Sequence, residues 1–232
     1  MVLRWKTMNI FDMREDNEVK VEYIDDSPIF TIDNFYKYPE QVYEYIFDLP
    51  YAEGRVGLWK LNQTPSNNGI YFEDRRLNEF DERLFHIYFF FSNLIGDYTF
   101  RPEINTNVIF FKDDEESLKF NNYTDNYWWP HTDVGYNGIV YFHDECGTNL
   151  YSSNTLDITD NLNEHHQPWR SKEKYTLLKS IEPAYNRLVL FDGKKFPHGM
   201  NITNKKYFGK KFRNNQVFFF DSKESTTEYY CV

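Results

Sequence analysis

Between Ile104 and Asp221 the chain offers eight strand candidates in succession, separated by turn signals and two polar insertions. They run from Ile104 to Lys112, Tyr127 to Asp133, Ile139 to His143, Thr148 to Tyr151, Tyr175 to Glu182, Arg187 to Asp192, Pro197 to Ile202 and Phe212 to Asp221. Aromatic residues make up 20% of the chain, which favours strands with large side chains lining a core and a pocket. Eight antiparallel strands after a helical preamble predict a jelly roll, the cupin-like double-stranded β-helix, whose two sheets leave a pocket between them. The expected class is mainly β with flanking helices and an N-terminal α/β preamble. Jelly rolls also serve as lectins and capsid shells, so function has to come from side chains.

The preamble reads as follows. Residues 1–27 mix charges with isolated apolar positions and suggest an arm or a short edge element. Pro28 to Phe35 alternates as a strand does. Asn34 to Leu49 has Pro39 in a first-turn position, Glu40 next to it, and Val42, Ile46 and Leu49 on one stripe, which predicts a helix. Tyr51 to Tyr71 contains Gly54, Gly57, Pro65, Gly69 and a Ser-Asn-Asn cluster and reads as a loop, either a cover for a site entrance or a surface excursion. From Asp74 to Gly96, Leu77, Phe80, Leu84, Ile87, Phe91 and Leu94 recur at helical spacing and predict the main outer helix. At 232 residues a single domain is expected, with residues 1–103 as preamble, 104–221 as core and 222–232 as tail.

Net charge narrows the partners. A charge of −10 and a pI near 5.1 argue against a chain that wraps nucleic acid on a general basic surface. Two cysteines, Cys146 and Cys231, form no disulfide pattern and suit a reducing compartment. The N-terminal stretch has no apolar signal core and no apolar run reaches membrane-spanning length, so a soluble, cytoplasmic protein is expected.

Within the strand series stands Pro130-His-Thr-Asp133, followed some sixty residues later by Pro197-His198. On a strand, residues two apart share a face, so His131 and Asp133 can reach one ion, with His198 arriving from another strand. Two imidazoles and one carboxylate with open positions is the donor set that suits non-haem Fe(II). A structural zinc reading needs a fourth donor, for which Cys146 is the nearby candidate. Zinc hydrolysis is disfavoured by the lack of an H-E-x-x-H motif. The adjacent His165 and His166 lie in the polar insertion from Ser152 to Lys174 and read as a solvated loop; a second insertion spans Asp113 to Asp125.

These residues resemble the Fe(II)/2-oxoglutarate-dependent dioxygenases, and most closely their prolyl-4-hydroxylase-like branch and the small oxygenases carried by marine phages. The resemblance rests on H-x-D at His131 to Asp133, Tyr141-Phe-His143 in place of a Tyr-Leu-Asn strand, Gly147-Thr148, Arg187-Leu188, Pro197-His198 and a basic residue on the last strand. It covers roughly Asn105 to Asp221. It implies His131, Asp133 and His198 as iron ligands, and Arg213 and Tyr141 as partners of the distal carboxylate of 2-oxoglutarate. Arg213 lies fifteen residues past His198, at the long end of the family's spacing, so Lys205, Lys206, Lys210 and Lys211 stay as weaker candidates. His143 stands where the family has Asn. The implied cofactors are Fe(II), 2-oxoglutarate and O2, and the implied reaction is hydroxylation coupled to decarboxylation of the keto acid to succinate and CO2. Asp133 disfavours halogenation, since halogenating relatives lack that carboxylate. A prolyl residue of a peptide or protein leads among substrates and small molecules stay open; Trp128 and Trp129, just before His131, read equally as pocket wall and as ordinary aromatic packing. The alternative is a non-catalytic, metal-holding jelly-roll binding module or virion component.

Overall fold

The large sheet runs through the protein in the order β1-β2-β12-β8-β14-β6-β4-β3, with β5 also on β14, and every strand pairing is antiparallel. The computed structural model describes residues 8–48, 51–58, 70–77, 81–96, 99–100, 104–111, 123–153, 169–203 and 213–221. In chain order the elements are β1 Val19–Ile24, β2 Ser27–Ile32, α1 Pro39–Asp48, β3 Tyr51–Leu58, β4 Ile70–Leu77, α2 Phe85–Ile95, β5 Thr99–Phe100, β6 Ile104–Phe111, β7 Asn126–Trp128, β8 Gly135–Tyr141, β9 Thr148–Ser153, β10 Trp169–Ser171, β11 Tyr175–Ile181, β12 Arg187–Asp192, β13 His198–Met200 and β14 Arg213–Asp221. The small sheet has the order β11-β9-β13, and a single bridge between His131 and His198 joins it to the segment that follows β7. Strands β6, β8, β12 and β14 therefore lie in one sheet and β9, β11 and β13 in the other. That alternation of successive strands between two sheets is the expected jelly roll.

Period-two alternation sends β2, β8, β12 and β14 of the large sheet into two separate cores. Phe30 and Ile32 of β2, Tyr136 and Val140 of β8, Leu188 and Leu190 of β12, and Phe218 and Phe220 of β14 turn to the helices. Their sequence neighbours Ile29, Ile139, Tyr141, Val189, Phe191 and Val217 turn inward to meet Leu150 and Ile181 of the small sheet. On the helix side, Ile87 and Phe91 of α2 and Val42 and Ile46 of α1 are buried, as their spacing predicted, and Tyr88 of α2 is buried beside them. Phe91 packs edge-on to Phe218 and Phe220, with centroids 5.5 and 5.1 Å apart, and stacks on Phe35 at 6.1 Å.

Several expectations change. The segment read as a loop from Tyr51 to Tyr71 holds β3 and the start of β4, which add two strands beyond β6. Glycines are tolerated in β3 because it is the edge strand, and its pairing shifts register between Tyr51 and Val56. The helix expected from Asp74 starts late, because residues up to Leu77 belong to β4. Asp81 then accepts the Arg83 N–H and opens a 3-10 turn, Glu82–Leu84, that runs into α2. Residues 1–27, expected as an arm or a short edge element, do contain an edge strand, β1. Asn137-Gly138, a turn-type dipeptide just before the strand expected from Ile139, lies inside β8, where glycine leaves room for Phe218 and Phe91. The insertion from Ser152 to Lys174 is not all loop, since β10 forms a ribbon with β7. His165, His166, Cys231, Lys205, Lys206, Lys210 and Lys211 lie outside the described residues. Among the described residues no helix is long and apolar enough to cross a membrane.

Candidate metal centre

Sequence-distant histidines meet because two backbones touch. After β7 the chain turns at Trp129, which takes the left-handed φ of +39°. The carbonyls of Trp128 and Trp129 then pass directly over Gly199 of β13. A Cβ on that residue would lie 2.1 Å from Trp128 O and 3.0 Å from Trp129 O, so any side chain there would force the strands apart. The approach sets His131 opposite His198 as a doubly hydrogen-bonded antiparallel pair, with N–H···O distances of 3.0 and 2.8 Å. Their rings stand 4.5 Å apart. Asp133 is brought in separately, its N–H donating to Gly193 O at 2.9 Å in the turn after β12. The two-apart spacing thus works through isolated bridges and not through a continuous strand, since β7 ends at Trp128.

The side chains converge. His131, Asp133 and His198 each offer one donor atom, and these atoms lie within 4.8 Å of one another. His131 Nδ1 is 2.9 Å from Trp129 O and His198 Nδ1 is 3.0 Å from Phe196 O. A carbonyl only accepts, so Nδ1 carries a proton in both rings and Nε2 is the nitrogen left for the shared space. Nε2 of His198 stands 3.2 Å from Asp133 Oδ2. Burial works against the charge on Asp133, but when the rings also carry a proton on Nε2 the His198 hydrogen bond, the charges of both imidazolium rings and the Asn137 amide outweigh it and hold the carboxyl well below the usual range. An anionic carboxylate and two imidazoles oriented by backbone carbonyls fit a divalent transition metal. The wall around them is aromatic: Phe191 meets His198 edge-on at 5.0 Å, and the Trp129 ring lies 5.4 Å from His131.

The other candidate residues distribute as follows. Tyr141 is fully buried on the inward face of β8, and its hydroxyl donates to Thr148 Oγ1 at 2.7 Å. Arg213 opens β14 opposite Ile109 of β6, two places before Asn215. His143 Nε2 is 3.3 Å from Asn215 Oδ1, and its ring meets Tyr141 edge-on. Trp128 is buried and lines a cavity of about 470 Å³ with Tyr127, Asn149, Ser180, Met200 and Asn201, a lining to which the three metal donors do not contribute. Cys146 is a buried thiol but not a member of the donor group, so among the described residues no cysteine closes the centre.

Two residues at the centre went unread in the sequence. Gly199 sits beneath the crossing backbones, and nothing in the local sequence announces that crossing. Asn137 was legible in principle: once β8 is taken back to Gly135, alternation puts Asn137 on the face of Ile139 and Tyr141. Its Nδ2 donates to Asp133 Oδ2 and lies 3.0 Å from His198 Nε2.

No known family model matches the chain, and no curated protein matches it. Among solved structures it is similar to an oxidoreductase of the 2OG-Fe(II) oxygenase family from Burkholderia pseudomallei, with 11% identity and a TM-score of 0.45 over 83% of this chain and 84% of that one. The architecture therefore rests on the strand order above, and the centre on its own geometry.

Proposed function

We propose that the protein is a non-haem Fe(II)- and 2-oxoglutarate-dependent dioxygenase that hydroxylates an organic substrate. The observation that supports this reading is the convergence of two Nε2 atoms and one ionised carboxylate on one point inside a jelly roll, with no fourth protein donor of the zinc-closing kind among the described residues. With Fe(II), 2-oxoglutarate and O2 bound, the chemistry supplied is insertion of one oxygen atom into a C–H bond and of the other into the succinate formed as CO2 leaves.

The residues have separate tasks. His131 and His198 hold the ion through Nε2, and the carbonyls of Trp129 and Phe196 fix the rings by binding Nδ1–H. Asp133 supplies the negative charge that favours a divalent cation. Arg213 pairs bidentately with the distal carboxylate of 2-oxoglutarate, and Tyr141 adds its hydroxyl to that carboxylate by exchanging Thr148 Oγ1 for it. Phe191 and Trp129 keep bulk water away. A prolyl residue of a peptide or protein is the proposed substrate, and the acidic surface suits a basic partner.

Anaerobic titration of the Fe(II)-loaded protein with 2-oxoglutarate tests the reading. A weak visible charge-transfer band is expected in the wild type and not in Asp133→Ala. If iron binds and no band forms, the protein is instead a metal-holding jelly roll, and the dioxygenase reading falls.

A further inference from the structure

The Asn137 carboxamide sits where a ligand belongs. It is buried, with a relative exposure of 2%, and its Nδ2 end touches two of the three donor atoms, Asp133 Oδ2 and His198 Nε2. Two donors bound at right angles about 2.1 Å from one ion lie about 3.0 Å apart. The separation from the Asn137 amide to His198 Nε2 is 3.0 Å, and that from Asp133 Oδ2 to the same nitrogen is 3.2 Å. Each thus stands from His198 Nε2 at the spacing of neighbouring ligands of a single ion, while the Asn137–Asp133 hydrogen bond holds the amide and the carboxylate closer to each other than two such ligands would be.

The opposite end of the carboxamide is unsatisfied. Asn137 Oδ1 is buried and has no hydrogen-bond partner. It shares the space beside Gly193 with the Gly135 carbonyl: a Cβ on Gly193 would lie 2.9 Å from Oδ1 and 3.0 Å from Gly135 O. An acceptor is left among acceptors while the N–H end faces the atoms a cation would use. A half-turn about Cβ–Cγ exchanges the two ends, aims Oδ1 at the ion and brings Nδ2–H to the neighbourhood of the Gly135 carbonyl.

We propose that Asn137 supplies a fourth protein donor, its carboxamide oxygen, to the centre formed by His131, Asp133 and His198. This rests on the metal-centre reading above. Four protein donors leave two positions of an octahedron. As the weakest donor, Asn137 is the one that yields when a chelating co-substrate and O2 together need three.

Mn(II) titration by calorimetry, with thermal unfolding as a check on folding, tests the assignment without calling on turnover. Asn137→Ala is expected to weaken Mn(II) binding roughly 10-fold or more, on the scale of lost ligand support. Asn137→Asp is expected to tighten it, because a direct ligand gains a negative charge. If Asn137 acted only by donating Nδ2–H to Asp133, the aspartate would set two carboxylates against each other and weaken binding, and the proposal would be wrong. Unchanged affinity in Asn137→Ala also overturns it. Should the alanine variant not fold, the sign of the Asn137→Asp change decides alone. A wild type that binds no Mn(II), or that binds it no better than His131→Ala, removes the centre itself and the proposal with it.

Discussion

The two faces of the large sheet are built from alternate residues of the same strands, yet they are filled with different chemistry. On the helix face, Phe35, Tyr88, Phe91, Phe218 and Phe220 pack ring against ring, and a direct polar contact there, Tyr36 Oη to Gln216 Oε1 at 2.6 Å, ties the preamble to β14. On the inward face the apolar residues are joined by Asn137, Asn215, Thr148 and His198, all buried, and both Asn137 and Asn215 keep one amide atom without a partner. Leaving a buried polar atom unpaired costs about 1–3 kcal/mol. The helix face carries such an atom as well, Gln216 Nε2, so the difference lies in the ionised Asp133 and the two histidines, which the inward face holds and the ring-packed face does not. The contrast separates the residues that hold the protein together from those that serve a ligand.

Substitutions on the two faces should therefore fail in different ways. The largest effect is expected from Asp133→Ala, which removes the only anionic donor: metal affinity should fall beyond the roughly 100-fold range of supporting residues, and turnover with it, while thermal unfolding of the metal-free protein stays nearly unchanged. A large loss of stability instead would mean that the inward face is structural. On the helix face the reverse is expected. Phe91→Ala removes the ring shared by Phe35, Phe218 and Phe220 and should cost about 3–5 kcal/mol in denaturant unfolding, with Mn(II) affinity of the folded protein unchanged. Arg213→Ala sharpens the inward side: losing a charge-assisted pair worth about 1.5–3 kcal/mol should raise the 2-oxoglutarate requirement roughly 10- to 100-fold and leave iron binding alone. If that variant is silent while Lys206→Ala or Lys211→Ala is not, the carboxylate clamp lies in the basic segment before β14.

Alternation carried the strands well, because residues such as Leu188 to Phe191 must satisfy two cores at once and can do so only with period two. It failed where a second period fits by coincidence. Leu77 is spaced as if it belonged to α2 but ends β4, because β6 offers an open edge that the isolated pattern does not reveal. His131, Asp133 and His198 were legible as a set through their motif, but the physical reason given for the first two was incomplete. They converge because Trp129 turns left-handed, Gly199 admits two carbonyls and Gly193 accepts from the Asp133 amide, three tertiary facts without a local signature. Asn137 was hidden by a local rule: Asn-Gly is a strong turn signal, and here burial against Phe218 and Phe91 overrides it.

The smallest effect belongs to neither face and calibrates both. Asp33, just past β2, accepts from Arg187 Nε of β12 at 2.5 Å and from Lys20 at 3.1 Å, at the rim where the preamble strands join the core. The Arg187 hydrogen bond, opposed by partial burial and helped by Lys20, holds its carboxyl below the ordinary 3.8. A lowered folded pKa means that the pair's contribution is present above the unfolded value and is lost as pH falls through 3.8 toward the folded one. The Asp33 side chain is 34% exposed, so solvent screening keeps that contribution to about 0.5 kcal/mol. Between pH 6 and pH 3 the wild type should lose that much more stability than Asp33→Asn in urea unfolding. A difference several times larger would mean that charge at the rim, and not ring packing on the helix face, anchors the preamble to the jelly roll.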